Sequence, residues 1–454
     1  MIAVPKREYA VLFLGDIGVF VLSLWLTLAV RYFAIPSSEM YLRHLVPFSF
    51  LFILWTVVFF LAGLYGKHTR LFRSTLPTVI VYAQLVNIVL AAIFFFLIPA
   101  FGLAPKTILV LYLIVSSALI YVWRVGLFTR LPQLLRGRPL RGILVATGPD
   151  ARLLHDEISK DARYPFTFES IIDTASAPQH EIIQRTLRLA AEDDITFLVI
   201  DFSDKAFEQA RPIIYNAAFQ KKRFAVVDIV ELYQEVFDRV PLSLVRYDWI
   251  LASVDSSRTY MALKRAVDVL GAIVLGAISL VLYPFVALAI KLEDRGPILI
   301  DQVRVGRYEK PLRVIKFRSM TGNDRGEYGP GGKTALAVTR VGNLLRRSRI
   351  DELPQLWSVL KGELSLVGPR PEFPSLAREY SAKIPYYNAR WLISPGLTGW
   401  AQIRHDAHPH HETDIAETKT KLSYDLYYLR HRSFFLDLYI ILQTIRIMLT
   451  ARGS

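Results

Sequence analysis

Four long apolar runs fill the first third of the chain, at about residues 11–30, 45–64, 78–101 and 107–128. Each approaches or exceeds the ~20 residues needed to cross a bilayer core, so the pattern predicts four membrane-spanning helices. The first run is too long, and too soon followed by another, for a cleaved signal peptide. From Arg141 to about Val254 the pattern changes. GILVAT (142–147), FTFESIID (166–173), ITFLVIDFS (195–203) and RFAVVDIV (223–230) read as strands. Between them ARLLHDEI (151–158), HEIIQRTLRLAAEDD (180–194) and RPIIYNAAFQKK (211–222) read as amphipathic helices. Strand and helix in turn predict a parallel sheet of doubly wound type. A fifth apolar run, AVDVLGAIVLGAISLVLYPFVALAI (266–290), opens a last third of mixed α/β pattern.

Charge orients the spans. Lys6 and Arg7 precede the first; Lys67, Arg70 and Arg73 lie between the second and third; Arg124, Arg130, Arg136, Arg138 and Arg141 cluster at and after the end of the fourth. The other two loops hold Arg31, Arg43 and Lys106. The excess of basic residues on one side places both ends of this unit in the cytoplasm. Asp16 lies within the first span. An intramembrane acid is a functional candidate, and its place near the inner end also fits snorkelling or helix packing.

The fifth run is long enough to span, which would export everything after it. Residues 302–349 hold twelve Lys/Arg against three Asp/Glu, a poor candidate for translocation. Pro284 interrupts the run, and charged residues mark both ends: Lys264, Arg265 and Asp268, then Lys291, Glu293, Asp294 and Arg295. The expectation is a helix broken at Pro284 that dips into the inner leaflet and returns, with a plain span as the alternative. The expected domains are 1–140, a four-span bundle; 141–255, the α/β domain; and 256–454, the re-entrant helix with a mixed α/β domain.

Composition sharpens the class. The chain of 454 residues is 53% hydrophobic and carries a formal charge of +14, which suits a membrane protein facing anionic lipid or anionic substrates. The long apolar runs weigh against nucleic acid as partner. No cysteine is present, which excludes disulfides and thiol chemistry. The first strand–helix turn of the middle domain reads ATGPDA (146–151), without the glycine fingerprint of a dinucleotide site, so a structural or regulatory domain without cofactor is expected.

The last third carries the chemistry. DQVRVGRYEKPLRVIKFRSM (301–320) alternates as a strand pair, which would set Lys316 and Arg318 on one face, for a diphosphate or for anionic lipid. In RVGNLLRRSRIDELPQLWSVLKGELSLVGPRPE (340–372), DELPQLWSVLK reads as one helix with Pro354 in its first turn and Asp351 at its N-cap. Asp351 and Glu352 fit capping and the helix dipole. With Arg346, Arg347, Arg349 and Arg370 nearby, they also fit Mg²⁺ binding or nucleophilic attack on phosphorus. As neighbours they face apart, so their tasks would differ. PGLTG (395–399) gives a tight path near a site. His405, His408, His410 and His411 lack regular metal-site spacing and read as a solvated loop. Asp425, among aromatics in SYDLYYL, is a candidate third acid. Phe434, Phe435, Leu438, Ile441, Leu442, Ile445 and Leu449 form a face suited equally to a membrane interface or to the protein's own core.

KRAVDV (264–269), QVRVGR (302–307), KFRSM (316–320), DELPQLWSVLKGELSLVGPRPE (351–372), PGLTGWAQI (395–403) and YDLYYL (424–429), in this order, closely resemble the bacterial sugar-transferase family, the polyprenyl-phosphate hexose-1-phosphate or monotopic phosphoglycosyl transferases. The resemblance runs from about Tyr260 to the C-terminus, and four spans plus an α/β domain resemble the family's long form. It implies transfer of a sugar 1-phosphate from a UDP-sugar to undecaprenyl phosphate at the bacterial inner membrane, releasing UMP, as the first membrane step of exopolysaccharide, capsule or O-antigen assembly. Asp351 would be the nucleophile, forming a phosphosugar-aspartate, with Glu352 beside it. Mg²⁺ would be held by Asp351, Glu352 and Asp425, and substrate by Lys316, Arg318, Arg346, Arg349, Arg370 and Gln402. The resemblance also implies the re-entrant helix, with middle and catalytic domains cytoplasmic; some members break it at Ser-Pro, where this chain has Tyr283 and Pro284. A homodimer is a further expectation. Two rival readings are a membrane-tethered nucleotide-sugar dehydratase, whose Tyr-x-x-x-Lys pair Tyr260 and Lys264 would mimic, and a non-catalytic assembly scaffold.

Overall fold

The computed structural model describes residues 6–65, 76–98, 106–127, 140–160, 164, 166–176, 178–190, 195–202, 204, 211–221, 224–251, 257–321, 337–405 and 414–449. They form two compact units that divide between residues 139 and 140.

The N-terminal unit has four helices: α1 (Lys6–Tyr32), α2 (Ser38–Leu61), α3 (Leu76–Leu97) and α4 (Lys106–Tyr121). Each of these helical stretches, α4 together with the turn that follows it, is long and apolar enough to cross a membrane. Phe20, Phe48, Trp55, Phe59 and Tyr112 fill the centre, edge to face or tilted. The end of α4 widens into a π-helical turn, Val122–Leu127, which carries Arg124. Asp16 is fully buried, ion-paired with Arg124, and accepts a hydrogen bond from Tyr65 Oη at 2.6 Å. Arg124 also donates from Nη1 to the Leu64 carbonyl at 2.7 Å. Asp16 therefore packs helices together; it does not snorkel. A charge is tolerable here because its partner is buried with it.

The second unit begins with a four-stranded parallel sheet: β1 (Leu140–Val145), β2 (Phe166–Ile172), β3 (Ile195–Ile200) and β4 (Ala225–Asp228), in the order β2-β1-β3-β4. Helices α5 (Pro149–Lys160), α6 (Gln179–Ala190) and α7 (Arg211–Lys221) are the crossovers. Asp228 ends β4 and caps α8 (Ile229–Phe237), accepting from Val230 N at 2.6 Å. The chain then joins the C-terminal core well before residue 255. Val240, Val245 and Ile250, the last in α9 (Tyr247–Leu251), are buried with Leu422, Leu426 and Ile440. Trp400 Nε1 donates to the Asp238 carbonyl at 2.7 Å, which fastens the junction.

The fifth apolar run is one helix, α10 (Arg258–Asp294), 37 residues long with Pro284 inside it. The expected break at Pro284 is not an interruption of the helix. One missing N–H leaves the flanking turns hydrogen-bonded, so proline bends a long helix more readily than it ends one. The remainder is a compact assembly of short pieces. An antiparallel hairpin pairs β5 (Leu299–Val305) with β6 (Pro311–Phe317), and two-residue strands β7 (Met320–Thr321) and β8 (Ala337–Val338) follow. Helix α11 (Arg340–Arg347) leads through a 3₁₀ turn, Ile350–Gln355, into α12 (Leu356–Lys361). Strand β9 (Ser365–Val367), helix α13 (Pro374–Lys383), strand β10 (Gly396–Thr398), helix α14 (Trp400–Arg404) and the long helices α15 (Ile415–His431) and α16 (Phe434–Leu449) complete it. On α16, Leu436, Tyr439 and Ile440 pack on the core, a face other than the predicted one. Of the predicted face, Ile441 packs against the core, while Phe435, Leu438 and Ile445 are exposed.

Candidate active site

Asp351 and Glu352 do not cap a helix. Arg349, in the left-handed region (φ 53°), turns the chain out of α11 into the 3₁₀ turn. Pro354 has no N–H to offer the carbonyls of Ile350 or Asp351, so α-helical bonding begins only at Leu356. The expected single helix from Asp351 is therefore a tight turn followed by a short helix, and Asp351 is held inside the turn.

That turn is fixed from below by α10. Arg265 donates to the Val359 and Leu360 carbonyls at 2.7 and 2.6 Å, closing the C-terminus of α12. Leu353 packs in both apolar clusters that α10 joins, one around Ala272 and Val359, the other around Val286, Ile290, Phe317 and Leu345. Asp268 accepts from Ser365 Oγ at 3.0 Å and Leu366 N at 2.9 Å, which holds β9 to the same helix. Beyond β9, the GPRPE loop crosses the PGLTG loop backbone to backbone. A Cβ added at Gly396 would lie 2.1 Å from Gly368 N, so glycine is required for this approach.

The carboxylates diverge in environment. Glu352 is nearly buried and pairs with Arg370 at 2.6 Å; Arg349 lies 3.9 Å from its other oxygen. Burial disfavours its charge, but Arg370, Lys316 and Arg349 overcome that and hold its pKa down to about 2. Asp351, also buried, is pushed up to about 6 by burial and by the Glu352 charge, against the pull of Lys316, Arg370 and Arg346. Lys316 is brought down to about 8, chiefly by burial and by Arg370. One acid is thus permanently charged and the other is poised near neutrality.

Of the basic residues expected here, Lys316, Arg346, Arg349 and Arg370 surround the acids. Arg318 continues the hairpin ladder one step past β6, its backbone N–H donating to the Ile298 carbonyl, and its Nε donates to the Met320 carbonyl at 3.2 Å. Arg347 is exposed. Gln402 Nε2 donates to the Leu397 carbonyl at 3.2 Å, which braces the PGLTG loop. Asp425 is not a third acid beside the pair. It sits on the buried face of α15, ion-paired with Arg390 at 2.8 Å, because a carboxylate set among Leu422, Leu426 and Leu429 needs a counter-charge there. Arg390 Nη2 in turn donates to the Arg370 carbonyl at 3.1 Å, so Asp425 supports the loop that presents Arg370. Among the described residues no three His, Asp or Glu side chains are grouped to hold a metal ion. His405 stacks near Tyr424; His408, His410 and His411 lie outside the described residues.

Two polar lining residues, Arg304 and Gln355, went unassigned in the sequence. Arg304 lies over the Phe373 ring and donates to the Pro371 carbonyl at 3.4 Å. With Lys316, Gln355, Arg370 and Gly396 it lines a narrow cavity beside the turn. Arg304 falls in the QVRVGR motif, but only the hairpin register shows that it shares the cavity with Lys316. The dehydratase pair finds no support: Lys264 bonds the Val367 carbonyl, Tyr428 and Asp437, and Tyr260 bonds the same Asp437, all away from the parallel sheet.

Residues 259–451 match the bacterial sugar transferase family. The chain is 39% identical over 207 residues to UDP-N-acetylgalactosamine-undecaprenyl-phosphate N-acetylgalactosaminephosphotransferase of Aeromonas hydrophila, covering 45% of this chain and 48% of that protein. It is 41% identical over 192 residues to UDP-glucose:undecaprenyl-phosphate glucose-1-phosphate transferase of Caulobacter vibrioides, covering 42% of this chain and 71% of the relative. To the exopolysaccharide production protein PSS of Rhizobium leguminosarum bv. phaseoli it is 39% identical over 203 residues, 43% of this chain and 98% of that protein. The likeness takes in nearly a whole relative and the very elements that build the site, α10 through α16, and on that ground the chain belongs to the bacterial sugar transferase family.

Proposed function

We propose that this protein transfers a sugar 1-phosphate from a UDP-sugar to undecaprenyl phosphate, releasing UMP, by way of a phosphosugar-aspartate on Asp351. The observation that carries this reading is the division of labour between adjacent acids. Asp351, raised to about 6, is still mostly ionised at neutral pH and more basic than an ordinary aspartate, as a nucleophile should be. Glu352, clamped by Arg370, stays charged and fixed.

In the first step an Asp351 oxygen bonds to the β-phosphorus. The bond from that phosphorus to the oxygen bridging the α-phosphate breaks, and its electron pair leaves with UMP. In the second step an oxygen of undecaprenyl phosphate bonds to the same phosphorus and the Asp351–phosphorus bond breaks, regenerating the carboxylate. Neither step requires net proton transfer. Phosphoryl transfer depends on positioning and charge neutralisation, which Lys316, Arg346, Arg349 and Arg370 supply. Mg²⁺ suits this donor set, since it is bound by one or two carboxylates plus substrate phosphates. Asp351 and Glu352 would hold it, and when bound it adds charge neutralisation at the diphosphate.

Helix α10 supports a re-entrant path. A straight helix of this length measures about 55 Å. Yet residues near its start (Lys264, Asp268) and near its end (Val286, Ile290, Glu293) pack against the same C-terminal domain. A helix crossing a bilayer would carry those ends to opposite sides. Between them Ile273, Val274, Ile278, Leu280 and Val281 stay exposed, an apolar face for lipid. With the basic loops inside, we place the protein in the bacterial inner membrane with its site on the cytoplasmic face, at the first membrane step of exopolysaccharide or related glycan assembly. The test is UMP release from a panel of UDP-sugars with undecaprenyl phosphate. The wild type should release UMP from at least one donor and Asp351→Asn from none; silence of the wild type with every donor would sink the reaction assigned.

A further inference from the structure

Gln355 closes the 3₁₀ turn four residues after Asp351 and opens α12. It is 96% buried, 4% of its surface remaining exposed, yet among the described residues its Nε2 has no hydrogen-bond partner. Buried amides are almost always paired, so an orphan of this kind calls for an absent acceptor. The surroundings indicate which. Gln355 lines the narrow cavity with Arg304, Lys316 and Arg370, three cations, and with the Pro371, Gly396 and Leu397 segments; no acid lines it. The cavity measures about 10 Å³, room for a single water-sized group. A space this small, faced by three cations and one unused amide N–H, fits one negatively charged oxygen.

We infer that Gln355 is a substrate-contacting residue whose side-chain amide donates a hydrogen bond to a non-bridging oxygen of the phosphoryl group being transferred. The inference rests on the transferase reading above. Asp351 and Gln355 share one short turn braced by α10, so the attacking oxygen and this donor keep a fixed separation. The donor meets an oxygen whose charge changes as the phosphoryl group passes from UMP to Asp351 and on to the acceptor. A neutral donor adds direction to that oxygen without drawing Glu352 away from Arg370, as a fourth cation would.

The test uses full-length protein in lipid nanodiscs and the UDP-sugar that the wild type accepts. First-turnover UMP release is followed without acceptor, then turnover with undecaprenyl phosphate. Gln355→Met keeps the volume and removes the donor. It should slow first-turnover release about 100-fold, with a much smaller change in UDP-sugar affinity. Gln355→Glu is nearly isosteric, so it serves if the Met variant fails to fold. Its carboxylate, faced by Arg304, Lys316 and Arg370, stays ionised, donates nothing and repels the phosphoryl oxygen, so its release should fall at least as far as in the Met variant across pH 6–8. A purely structural role would leave this near-isosteric variant close to the wild-type rate. Release within twofold of wild type in a folded Met or Glu variant, or a defect confined to the acceptor step, overturns the assignment. If the wild type itself releases no UMP, it is the transferase reading that fails, and this inference goes with it.

Discussion

Replacing Asp351 by Asn should abolish catalysis and stabilise the protein, and the two effects have separate causes. In the folded chain the Asp351 carboxyl titrates at about 6, against 3.8 for an ordinary aspartate, because it is buried and lies beside the charge of Glu352. The folded state therefore binds this proton more tightly than the unfolded state. Stability falls as pH rises from 3.8 to about 6, and the full cost is present above that. At 1.36 kcal/mol per unit, keeping Asp351 ionised costs about 3 kcal/mol at pH 8. The attraction of Lys316, Arg370 and Arg346 is already inside that net shift.

The isosteric amide removes the repulsion. For a domain of this size about 1 kcal/mol moves the unfolding midpoint by ~2–4 °C, so Asp351→Asn should unfold about 6–12 °C higher at pH 8. By the same linkage the gain should shrink to roughly half at pH 5, where the wild-type carboxyl is itself mostly protonated. Thermal unfolding in nanodiscs at both pH values, beside UMP release at pH 8, makes the measurement. A variant no more stable than wild type at pH 8, or a gain independent of pH, would refute the strained-carboxylate reasoning. UMP release at the wild-type rate would refute the nucleophile assignment on its own.

If Asp351 attacks as the carboxylate and Lys316 acts as the ammonium, as proposed, kcat/KM should follow a bell with limbs near the values of about 6 and about 8 set for these groups; a rate flat from pH 5 to 9 would exclude one or both roles. Asp425→Ala should cost about 3–5 kcal/mol of stability, since it strands the buried Arg390, while the Mg²⁺ concentration giving half-maximal activity stays unchanged; a rise in that concentration would restore Asp425 as a ligand. The chain has no cysteine, so single cysteines at Arg258 and Lys291, exposed at either end of α10, report topology directly. Both should react with an impermeant maleimide from the same side of sealed vesicles, and labelling from opposite sides would establish a span.

What the sequence makes legible follows the range of each interaction. The four long apolar helices and the alternating middle domain rest on local periodicity, and these helices and strands are found there. The motif run from KRAVDV to YDLYYL marks the elements of the candidate site because it matches the family's motifs in their order. Pairings across long separations are not legible. Arg124 counts in the sequence as an anchoring charge beside the membrane, yet a π-helical turn carries it inward to Asp16, 108 residues away. Asp425 has the composition of a metal ligand, and nothing near it in sequence shows that Arg390 claims it. Strand alternation assigns Lys316 and Arg318 to one face, but it does not show that Lys316 lines the cavity while the Arg318 side chain bonds the Met320 carbonyl. Gln355 is hidden for another reason: inside DELPQLW it reads as an ordinary polar helix residue, and only burial without a partner sets it apart.

The arrangement around α10 explains why a site for a lipid-borne acceptor would be built from a helix that need not cross the bilayer. Its N-terminal turns hold α12 through Arg265 and β9 through Lys264 and Asp268; its C-terminal turns pack under the Asp-Glu turn and bind the start of α11 through Glu293. Strand β9 pairs with β10, whose Gly396 forms the far wall of the cavity. Both walls of the site are therefore referenced to one apolar helix. On the proposed re-entrant path, the depth at which that helix rests in lipid would fix the height of Asp351 above the hydrocarbon, within the layer where a polyprenyl phosphate carries its headgroup. A helix that spanned would fix the height of one wall only, since its far end would lie across the membrane from the other.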